Sequence, residues 1–502
     1  MSFMNSMENT LNEEFNRSRT ENGALGYRTT GKELLDLNFK VSSLRKADEY
    51  SIIKDFERAF AEDKKYAIKW LFYLRDVREG LGERRSFKVI LKHIANVEPE
   101  LCKAFIALVP EYGRYDDWFE LLGTECESDV LKMIADQLEK DFAGMKNKKP
   151  ISLLSKWMPS TNASSVATRK KAATIRNYLG YSEKKYRKKL SKLREYIDVV
   201  ERKMSSKNWE EINYETVPSK ANLLYNKAFM KNDEERRKKY LESLQRGEVK
   251  INSSTNFPHE IVHKYGRSGS VDTTLEELWK ALPNMVEDDA NTLFVRDGSY
   301  SMTCRVDTNS SVTALEVATA LAIYFSERAA GEFKDKFITF SSRPQLIKLG
   351  NCSTLAEKIR RCYSETDCSN TNIKATFDLI LRTAIENKMK QEDMPKNILV
   401  VSDMEFDGAT YDHPNQTLFQ KIEKEYKDAG YQLPRLVFWN VNSRTGTIPV
   451  KENSLGVALV SGFSVNIVKM VLSGQLDPYK CLIEQLDTER YEAVEAAIRD
   501  LV

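Results

Sequence analysis

The spacing of apolar residues changes near residue 290, and this change is the feature that most constrains the fold. Beyond it, short runs of β-branched and aromatic residues alternate with longer helical stretches. Strands that alternate with helices predict a mostly parallel, doubly wound, Rossmann-like sheet, with ligands bound beyond the carboxyl ends of the strands. The predicted strands are 292–296, 336–340, 397–402, 435–440 and 456–460, and the predicted helices are about 312–330, 373–388, 416–429 and 463–474.

The first half of the chain has helical spacing instead. Ile53, Phe56 and Phe60 fit one helix face, and glycines and prolines divide residues 46–250 into helices. This predicts an α-helical repeat domain of the HEAT-like solenoid type, although no clean repeat is visible. Residues 1–45 are polar and predict an irregular arm, 251–290 predict a connector, and 291–502 form the predicted α/β domain. The fold class is therefore α plus α/β.

Composition narrows the protein class. With 502 residues, 41% hydrophobic and 30% charged, the chain predicts a globular protein of several domains. It contains no apolar run long enough to span a membrane, and its first residues lack the pattern of a signal peptide. Its seven cysteines have no C-x-x-C spacing, which predicts reduced thiols. We expect a cytoplasmic protein that does not bind membranes.

Two predicted strands end in polar side chains that suit a metal ion. The run Asp297-Gly-Ser-Tyr-Ser301 supplies a carboxylate and two hydroxyls, and Asp403 follows the strand at 397–402. Mg²⁺ and Mn²⁺ prefer oxygen ligands of this kind and leave positions for water or for a partner's carboxylate. A threonine is also needed, and the helix predicted to start just after Thr371 favours that residue over Thr366. The alternative is that these side chains only cap helices and strand ends.

This pattern resembles the metal-ion-dependent adhesion site (MIDAS) of a von Willebrand factor A (vWA) domain. The resemblance implies that Asp297, Ser299, Ser301 and Thr371 bind the ion and that Asp403 ligates it directly or through water. Asn372 departs from the pattern, since relatives often have aspartate after the threonine.

Longer motifs resemble an uncharacterised family of bacterial, phage and plant proteins from about residue 20 to residue 475. That family is similar in turn to the Ro autoantigen (TROVE-related proteins), in which a helical-repeat module carries a vWA domain and binds small structured and misfolded RNAs. The resemblance implies a ribonucleoprotein function. The motifs are Leu74-Arg-Asp-Val-Arg-Glu-Gly-Leu-Gly-Glu-Arg84, Pro110-Glu-Tyr-Gly-Arg-Tyr-Asp-Asp117, Lys156-Trp-Met-Pro159, Val217-Pro218, Ser402-Asp-Met-Glu-Phe406 and Val437-Phe-Trp-Asn440.

The charge distribution gives separate support for RNA. Residues 141–250 contain 27 Lys/Arg and 13 Asp/Glu, a net charge of +14 in a chain of net charge +3. The densest part has tyrosines among its cations and is followed by a second cluster at 236–239. Such cations neutralise phosphates, and the tyrosines between them can stack on unpaired bases. A solvated helix face whose tyrosines point inward would give the same pattern. The predicted RNA-binding residues are Arg169, Lys170, Lys171, Arg176, Lys184, Lys185, Arg187, Lys188, Lys189, Lys192 and Arg194, with Tyr178, Tyr181 and Tyr186 between them.

A zinc-protease motif, H-E-x-x-H, occurs at His259, Glu260 and His263. On a helix the two imidazoles would face one zinc ion, with Glu260 as general base. A third ligand is not evident, because Gly269 stands at the metzincin position and the only later histidine is His413. Glu276, Glu277 and Glu287 have no distinguishing feature, and a helix start at Pro258 explains the segment without zinc.

No P-loop or G-x-S-x-G elbow accompanies these features. The sequence therefore predicts a non-catalytic, Ro-like RNA-binding protein. It would use Mg²⁺ or Mn²⁺, bind RNA and possess a site for a protein carboxylate, and it would act on no small-molecule substrate. The alternatives are a metal-dependent protein-interaction scaffold without RNA and a zinc metalloprotease.

Overall fold

The computed structural model describes residues 2–266, 270–286, 291–408, 417–451, 455–472 and 475–502. The strands are β1 Arg17–Arg19, β2 Leu25–Tyr27, β3 Thr292–Asp297, β4 Lys336–Phe340, β5 Gln345–Lys348, β6 Asn397–Ser402, β7 Arg435–Asn440 and β8 Val457–Ser461. The helices are α1 Phe3–Phe15, α2 Glu33–Phe39, α3 Val41–Leu44, α4 Glu49–Glu62, α5 Lys64–Arg75, α6 Arg85–Val97, α7 Pro99–Phe105, α8 Val109–Tyr112, α9 Glu127–Lys146, α10 Leu154–Trp157, α11 Val166–Tyr178, α12 Glu183–Tyr196, α13 Val200–Ser206, α14 Ser219–Asn232, α15 Glu234–Gln245, α16 Pro258–Tyr265, α17 Thr273–Lys280, α18 Ala314–Arg328, α19 Leu355–Ser364, α20 Ile373–Glu386, α21 Leu418–Asp428, α22 Val468–Leu472, α23 Pro478–Leu486 and α24 Glu492–Ile498.

The chain separates into two compact units. The α/β unit comprises Met1–Asp63 and Asn256–Leu486, and the helical unit comprises Lys64–Thr255 and Asp487–Val502. No helix among the described residues is long and apolar enough to cross a membrane.

A six-stranded sheet forms the centre of the α/β unit, with the strand order β5-β4-β3-β6-β7-β8. All neighbours are parallel except β4 and β5, which pair as an antiparallel edge. The predicted mostly parallel sheet is therefore confirmed. Its strands were recognisable in the sequence because parallel strands that are buried on both faces consist of short continuous apolar runs. The order reverses between β3 and β6, which is the point where open α/β sheets bind ligands.

Helices alternate with these strands. In α18 almost every residue is buried, and it contacts β3, β4 and β6. The helix α20 contacts α21, and α18 contacts α19. Of the predicted strands and helices in this region, each corresponds to an observed element within a few residues, whereas the exposed edge strand β5 was not predicted.

The domain boundaries differ from the predicted ones. Residues predicted as an irregular arm instead form the β1–β2 hairpin and the buried helix α2, whose Leu34, Leu35, Leu37 and Phe39 are in the core. The helix α4, predicted to begin the helical domain, packs against α2 in the α/β unit. The predicted connector contains α16 and α17, and α16 packs against α18. These segments bury apolar side chains, which an arm or a connector would leave in water.

The helical unit contains α5–α15 and the C-terminal α24, which packs on α5 and α7. Phe72 lies at its centre, with ring-centroid distances of 5.4 Å to Phe105 and 5.0 Å to Tyr112. The helical nature of this region is confirmed. The solenoid repeat stays a prediction.

Two charged residues of the first family-like motif join elements of this unit. The Arg75 guanidinium contacts the Asp117 carboxylate at 2.8 Å, and both side chains are buried. The Asp76 carboxylate accepts from Arg490 Nε at 2.8 Å. Each of these contacts ties two helical elements together through a charge-assisted hydrogen bond.

Candidate functional site

The carboxyl ends of β3 and β6 place two aspartates side by side. The register pairs Arg296 with Val401, so Asp297 lies opposite Ser402, which precedes Asp403. Both aspartates are fully buried. The Asp297 carboxylate accepts one hydrogen bond from Ser299 N at 2.8 Å and another from Ser402 Oγ at 2.5 Å. These bonds fix its orientation at the strand end.

The turn after β3 brings two hydroxyls to the same place. The Oγ atoms of Ser299 and Ser301 share a hydrogen bond of 3.0 Å, and the Ser301 side chain partly offsets the burial that raises the pKa of Asp403. Gly298 suits this turn, because a Cβ at this position would lie only 3.0 Å from Thr339 Oγ1 and 3.1 Å from Phe340 O. The turn therefore lies close against β4.

Thr371 lies in a third segment, directly before α20. Its side chain is buried, and Asn372 caps the helix by accepting from Ala375 N at 3.2 Å. Asn372 therefore performs the capping that an aspartate would also perform. The loop is joined to the β3 turn, since Tyr300 N donates to Ser369 O at 3.2 Å.

Thr366 has a different role. Its hydroxyl accepts from the Arg296 guanidinium and donates to Cys362 O at 2.6 Å. This places Thr366 in the support of a buried arginine beneath the sheet end. The helix α20 begins at Ile373, shortly after Thr371, as its apolar stripe predicts. The role of Thr371 as an ion ligand stays a prediction.

The electrostatics of the strand ends favour an added positive charge. Burial and the nearby Asp403 carboxylate raise the pKa of Asp297, and burial raises the pKa of Asp403. Asp403 Oδ2 has no hydrogen-bond donor among the described residues, and the Arg444 guanidinium is 3.6 Å away. Two buried carboxylates and the adjacent hydroxyls of Ser299 and Ser301 are oxygen donors of the kind that Mg²⁺ or Mn²⁺ prefers. The residues that would hold the ion are Asp297, Ser299, Ser301, Thr371 and Asp403.

The β1–β2 hairpin covers this edge of the sheet, which the sequence did not predict. Asn22 Nδ2 donates to Thr371 Oγ1 at 3.2 Å and to Glu405 O at 2.7 Å. Glu21 pairs with the Arg444 guanidinium at 2.5 Å. The Asn22-Gly23 dipeptide is a hairpin signal, but it gives no information about where the hairpin docks.

Glu405 joins the hairpin to the loop after β7. Its buried carboxylate accepts from Glu21 N at 2.8 Å, Arg444 N at 2.8 Å and Thr445 N at 2.9 Å. The sequence placed Glu405 in a family-like motif without assigning it a function. Its function here is to hold two segments against the strand ends.

In the helical unit, the predicted RNA-binding cations lie on α11 and α12 and differ in their contacts. Some are engaged within the protein. Arg194 donates to Ser155 O at 2.7 Å and Met158 O at 2.9 Å. Arg169 donates to Ala163 O and Ser164 O, Lys171 pairs with Glu120, and Lys189 donates to Tyr181 Oη. Arg176 is bonded to Asn177, and Lys185 lies 4.4 Å from the Tyr181 ring. Within the described ranges, five exposed cations have no ion-pair or hydrogen-bond partner: Lys170, Lys184, Arg187, Lys188 and Lys192.

The interleaved tyrosines also differ. Tyr186 is buried and donates to Pro159 O at 2.8 Å, so for this tyrosine the alternative of an inward-facing side chain holds. It lies in a helical stripe with Leu190 and Leu193, and that spacing explains its burial. Tyr178 is exposed and Tyr181 is half-buried.

A groove of about 1220 Å³ borders α12. Lys184, Arg187 and Lys188 line it together with Lys156 and Arg202. The acids Glu183 and Glu201 also line it, and Glu201 lies 3.7 Å from Lys156. Cations therefore predominate along the groove.

The second basic cluster, at residues 236–239, is largely structural. Arg237 is buried, with its guanidinium 4.8 Å from the Tyr214 ring, and Arg236 donates to Trp209 O and Ile212 O. Lys238 pairs with Glu234. Burial and internal pairing therefore engage three of the four cations, and Lys239 is exposed.

The H-E-x-x-H residues lie on α16 with partners other than a metal. His259 is buried, with its ring 5.1 Å from that of Phe463, and Glu260 accepts from Phe257 N at 2.8 Å as a helix cap. His263 lies between Glu316 Oε1 at 3.1 Å and Ser311 Oγ at 3.0 Å.

Two of the candidate third zinc ligands have partners within the protein. Glu276 accepts from Tyr265 Oη and Leu355 N, and Glu277 pairs with Lys280. Gly269, Glu287 and His413 lie outside the described residues. Across the described part of the chain, no three His, Cys, Asp or Glu side chains are grouped as metal ligands.

Comparisons with known proteins give families without a stated activity. Residues 20–103 and 127–294, together half of the chain, match the family described as Domain of unknown function (DUF2828). Residues 291–498 match Domain of unknown function (DUF7788). A protein of Acanthamoeba polyphaga mimivirus, described as uncharacterized, is 29% identical over 94% of this chain and 87% of its own length.

Among solved structures, the crystal structure of the Deinococcus radiodurans Ro (RSR) protein is similar over 85% of this chain and 92% of that chain. The sequence identity is 13% and the TM-score is 0.32. A TM-score this low carries no argument about fold or function.

Proposed function

Because the chain belongs to the family described as Domain of unknown function (DUF2828), whose description contains no activity, we propose a function from its own residues. The protein is a non-catalytic RNA-binding protein of the Ro-like type. RNA lies along the basic groove of the helical unit, and a vWA-like site at the strand ends holds a divalent cation.

One observation carries the RNA-binding proposal: three exposed cations of α12 border a groove and have no partner among the described residues. Lys184, Arg187 and Lys188 line that groove, and no partner for them occurs within the described residues. Lysine and arginine in this state release counterions when they contact phosphates. The fixed cations of α11 and α12, such as Arg194, build the surface and contribute less to binding.

The cation proposal rests on the donor set of two buried carboxylates and three hydroxyls. A bound Mg²⁺ or Mn²⁺ would supply a positive centre that accepts a carboxylate ligand. Asp297 and Asp403 would balance its charge, and Ser299, Ser301 and Thr371 would complete the oxygen shell. The ligand of the bound ion is a carboxylate of a protein partner. The ion pair between Glu21 and Arg444 lies next to this site.

Salt-dependent RNA binding tests the first part. We expect the affinity of the purified protein for a structured RNA to fall steeply between about 50 and 200 mM salt. Lys184→Glu/Lys188→Glu should weaken binding and flatten this dependence. Lys92→Glu/Lys132→Glu is the matched control, because it makes the same charge change at exposed lysines that do not line the groove. An affinity that is flat with salt, or equal loss in both variants, would contradict the proposal.

Titration calorimetry with Mn²⁺ tests the second part. Wild type should bind one ion, whereas Asp297→Ala and Ser299→Ala should bind more weakly by at least tenfold. Ser342→Ala is the control, because its hydroxyl bonds Asp367 in the adjacent loop and is not in the donor set. Unchanged Mn²⁺ affinity in Asp297→Ala would exclude this site.

A further inference from the structure

A second concavity in the helical unit has aromatic walls. Its volume is about 760 Å³, and its lining includes Tyr115, Trp118 and Trp157. Trp118 is fixed by donating from Nε1 to Ile106 O at 2.8 Å, and its ring is 5.2 Å from that of Tyr115. Tyr115 and Trp157 are only half-buried, so parts of their rings are accessible in the pocket. Fixed aromatic rings with accessible faces suit a flat, aromatic ligand.

An arginine is stacked on one of these rings. The Arg114 guanidinium lies 4.2 Å from the centroid of Trp157 and also lines the pocket. Its Nε is 3.1 Å from Asp116 Oδ1. A guanidinium that is stacked on tryptophan offers both a planar surface for a base and donors for a phosphate or a base edge.

The acids near the pocket are mostly neutralised by the protein. Asp76 pairs with Arg490 at 2.8 Å, and Glu111 pairs with Arg490 at 2.9 Å and with Arg78 at 3.2 Å. Lys140 and Asp136 line the pocket with no ion pair to any described residue. In this pocket, Lys140 can therefore pair with one anionic group of a ligand, and the Asp136 carboxylate can accept a hydrogen bond from a ligand N–H.

The short helix α10 connects this pocket to the basic groove. Lys156 lines the groove, and the next residue, Trp157, lines the pocket. The groove and the aromatic pocket are therefore lined by adjacent residues of one short helix.

We propose that this pocket binds one unpaired nucleotide of the RNA, whose base stacks on Tyr115 and on the Trp157–Arg114 pair while its phosphate lies toward Lys156. The inference rests on the proposed RNA-binding function and adds to it a preference for RNA that has an unpaired base. A base inside a duplex cannot reach the pocket, since its faces are already stacked. The two concavities therefore divide the recognition: the groove binds phosphates, and the pocket selects unpaired bases.

The test compares two RNA hairpins that differ by a single bulged nucleotide. Wild type should bind the bulged hairpin more tightly, and Trp157→Ala should lose about 5- to 100-fold in affinity for it, as expected for the loss of one stacked base. Trp157→Phe should retain most of the preference, and the fully paired hairpin should bind wild type and Trp157→Ala equally. Trp209→Ala, a change to a tryptophan in the same unit that lines neither concavity, is the control. Circular dichroism melting checks that each variant is folded.

Photocrosslinking supplies a readout that does not depend on stability. A 4-thiouridine at the bulge should crosslink to peptides containing Tyr115 or Trp157, and crosslinks confined to other segments would overturn the inference. Equal affinity of wild type and Trp157→Ala for the bulged hairpin would also overturn it while leaving salt-dependent RNA binding intact.

Titration with AMP tests whether the pocket binds a free mononucleotide instead of a nucleotide of an RNA. If no RNA binds at any salt concentration, the proposed function and the RNA inference both fail. Saturable quenching of tryptophan fluorescence by AMP that is lost in Trp157→Ala would then identify a free mononucleotide as the ligand.

Discussion

The strand-end site of the α/β unit and the basic surface of the helical unit are built by opposite means. In the first, buried polar side chains such as Asp297 and Asp403 are fixed by backbone and side-chain hydrogen bonds. In the second, the side chains with the clearest capacity to bind, such as Lys184 and Lys188, are exposed and have no partner among the described residues. A site for a single ion needs fixed donors, whereas a phosphate backbone needs only charges that can adapt. The contrast predicts that mutations in buried polar networks change stability and that mutations of the exposed, unpaired cations change only binding.

The largest effect is expected at the buried ion pair of the helical unit. Asp117→Ala leaves the Arg75 guanidinium buried without its carboxylate, which should reduce the free energy of unfolding by about 3–5 kcal/mol. Urea denaturation followed by circular dichroism measures this change. Asp116→Ala is the control, since that neighbouring carboxylate is partly exposed. Equal effects of the two substitutions would show that burial is not the cause.

The two regions also differ in how much the sequence reveals. The strand ends were predictable because a buried parallel strand produces an apolar run whose last residue is evident, as in 397–402. The position of Thr371 followed from the apolar stripe of α20. The docking of the β1–β2 hairpin was not predictable, since Asn22 and Thr371 are 349 residues apart. Only the folded chain brings such residues together.

For the basic surface, the sequence shows which residues are charged, but it does not show which of these side chains are free to contact a ligand. Arg194 and Lys192 are both basic residues of α12, yet Arg194 is engaged by backbone carbonyls and Lys192 is exposed. The burial of Tyr186 was more predictable, because its spacing to Leu190 and Leu193 is that of one helix face. Hydrogen bonds to backbone oxygens leave no such pattern in the sequence.

The next largest effect is expected at Glu405. Glu405→Gln removes the negative charge that several donors share, so it should reduce the free energy of unfolding by about 2–3 kcal/mol. It should also loosen the β1–β2 hairpin, which amide hydrogen exchange at Glu21 measures directly. Glu386→Gln, at the exposed end of α20, is a control for the loss of one carboxylate. Unchanged exchange at Glu21 would contradict the tethering function of Glu405.

Arg194 provides a direct comparison of structural and binding charges on one helix. Arg194→Ala removes two hydrogen bonds to the carbonyls of Ser155 and Met158, so stability should fall by about 2 kcal/mol. Thermal melting measures this loss. A variant of normal stability with reduced RNA affinity would reverse the assignment and place Arg194 among the phosphate-binding residues.

The smallest effect is expected at Lys188, and it is the sharpest test of the contrast. Lys188→Ala removes an exposed cation that lines the groove and has no partner in the described part of the chain, so the melting temperature should not change. RNA affinity should fall modestly at low salt, and the slope of log affinity against log salt should decrease by about 0.7–0.9, the value for one phosphate contact. Lys132→Ala should change neither quantity. If Lys188→Ala lowers stability but leaves the salt slope intact, the α12 surface is a structural helix face, and the alternative that the sequence left open would be correct.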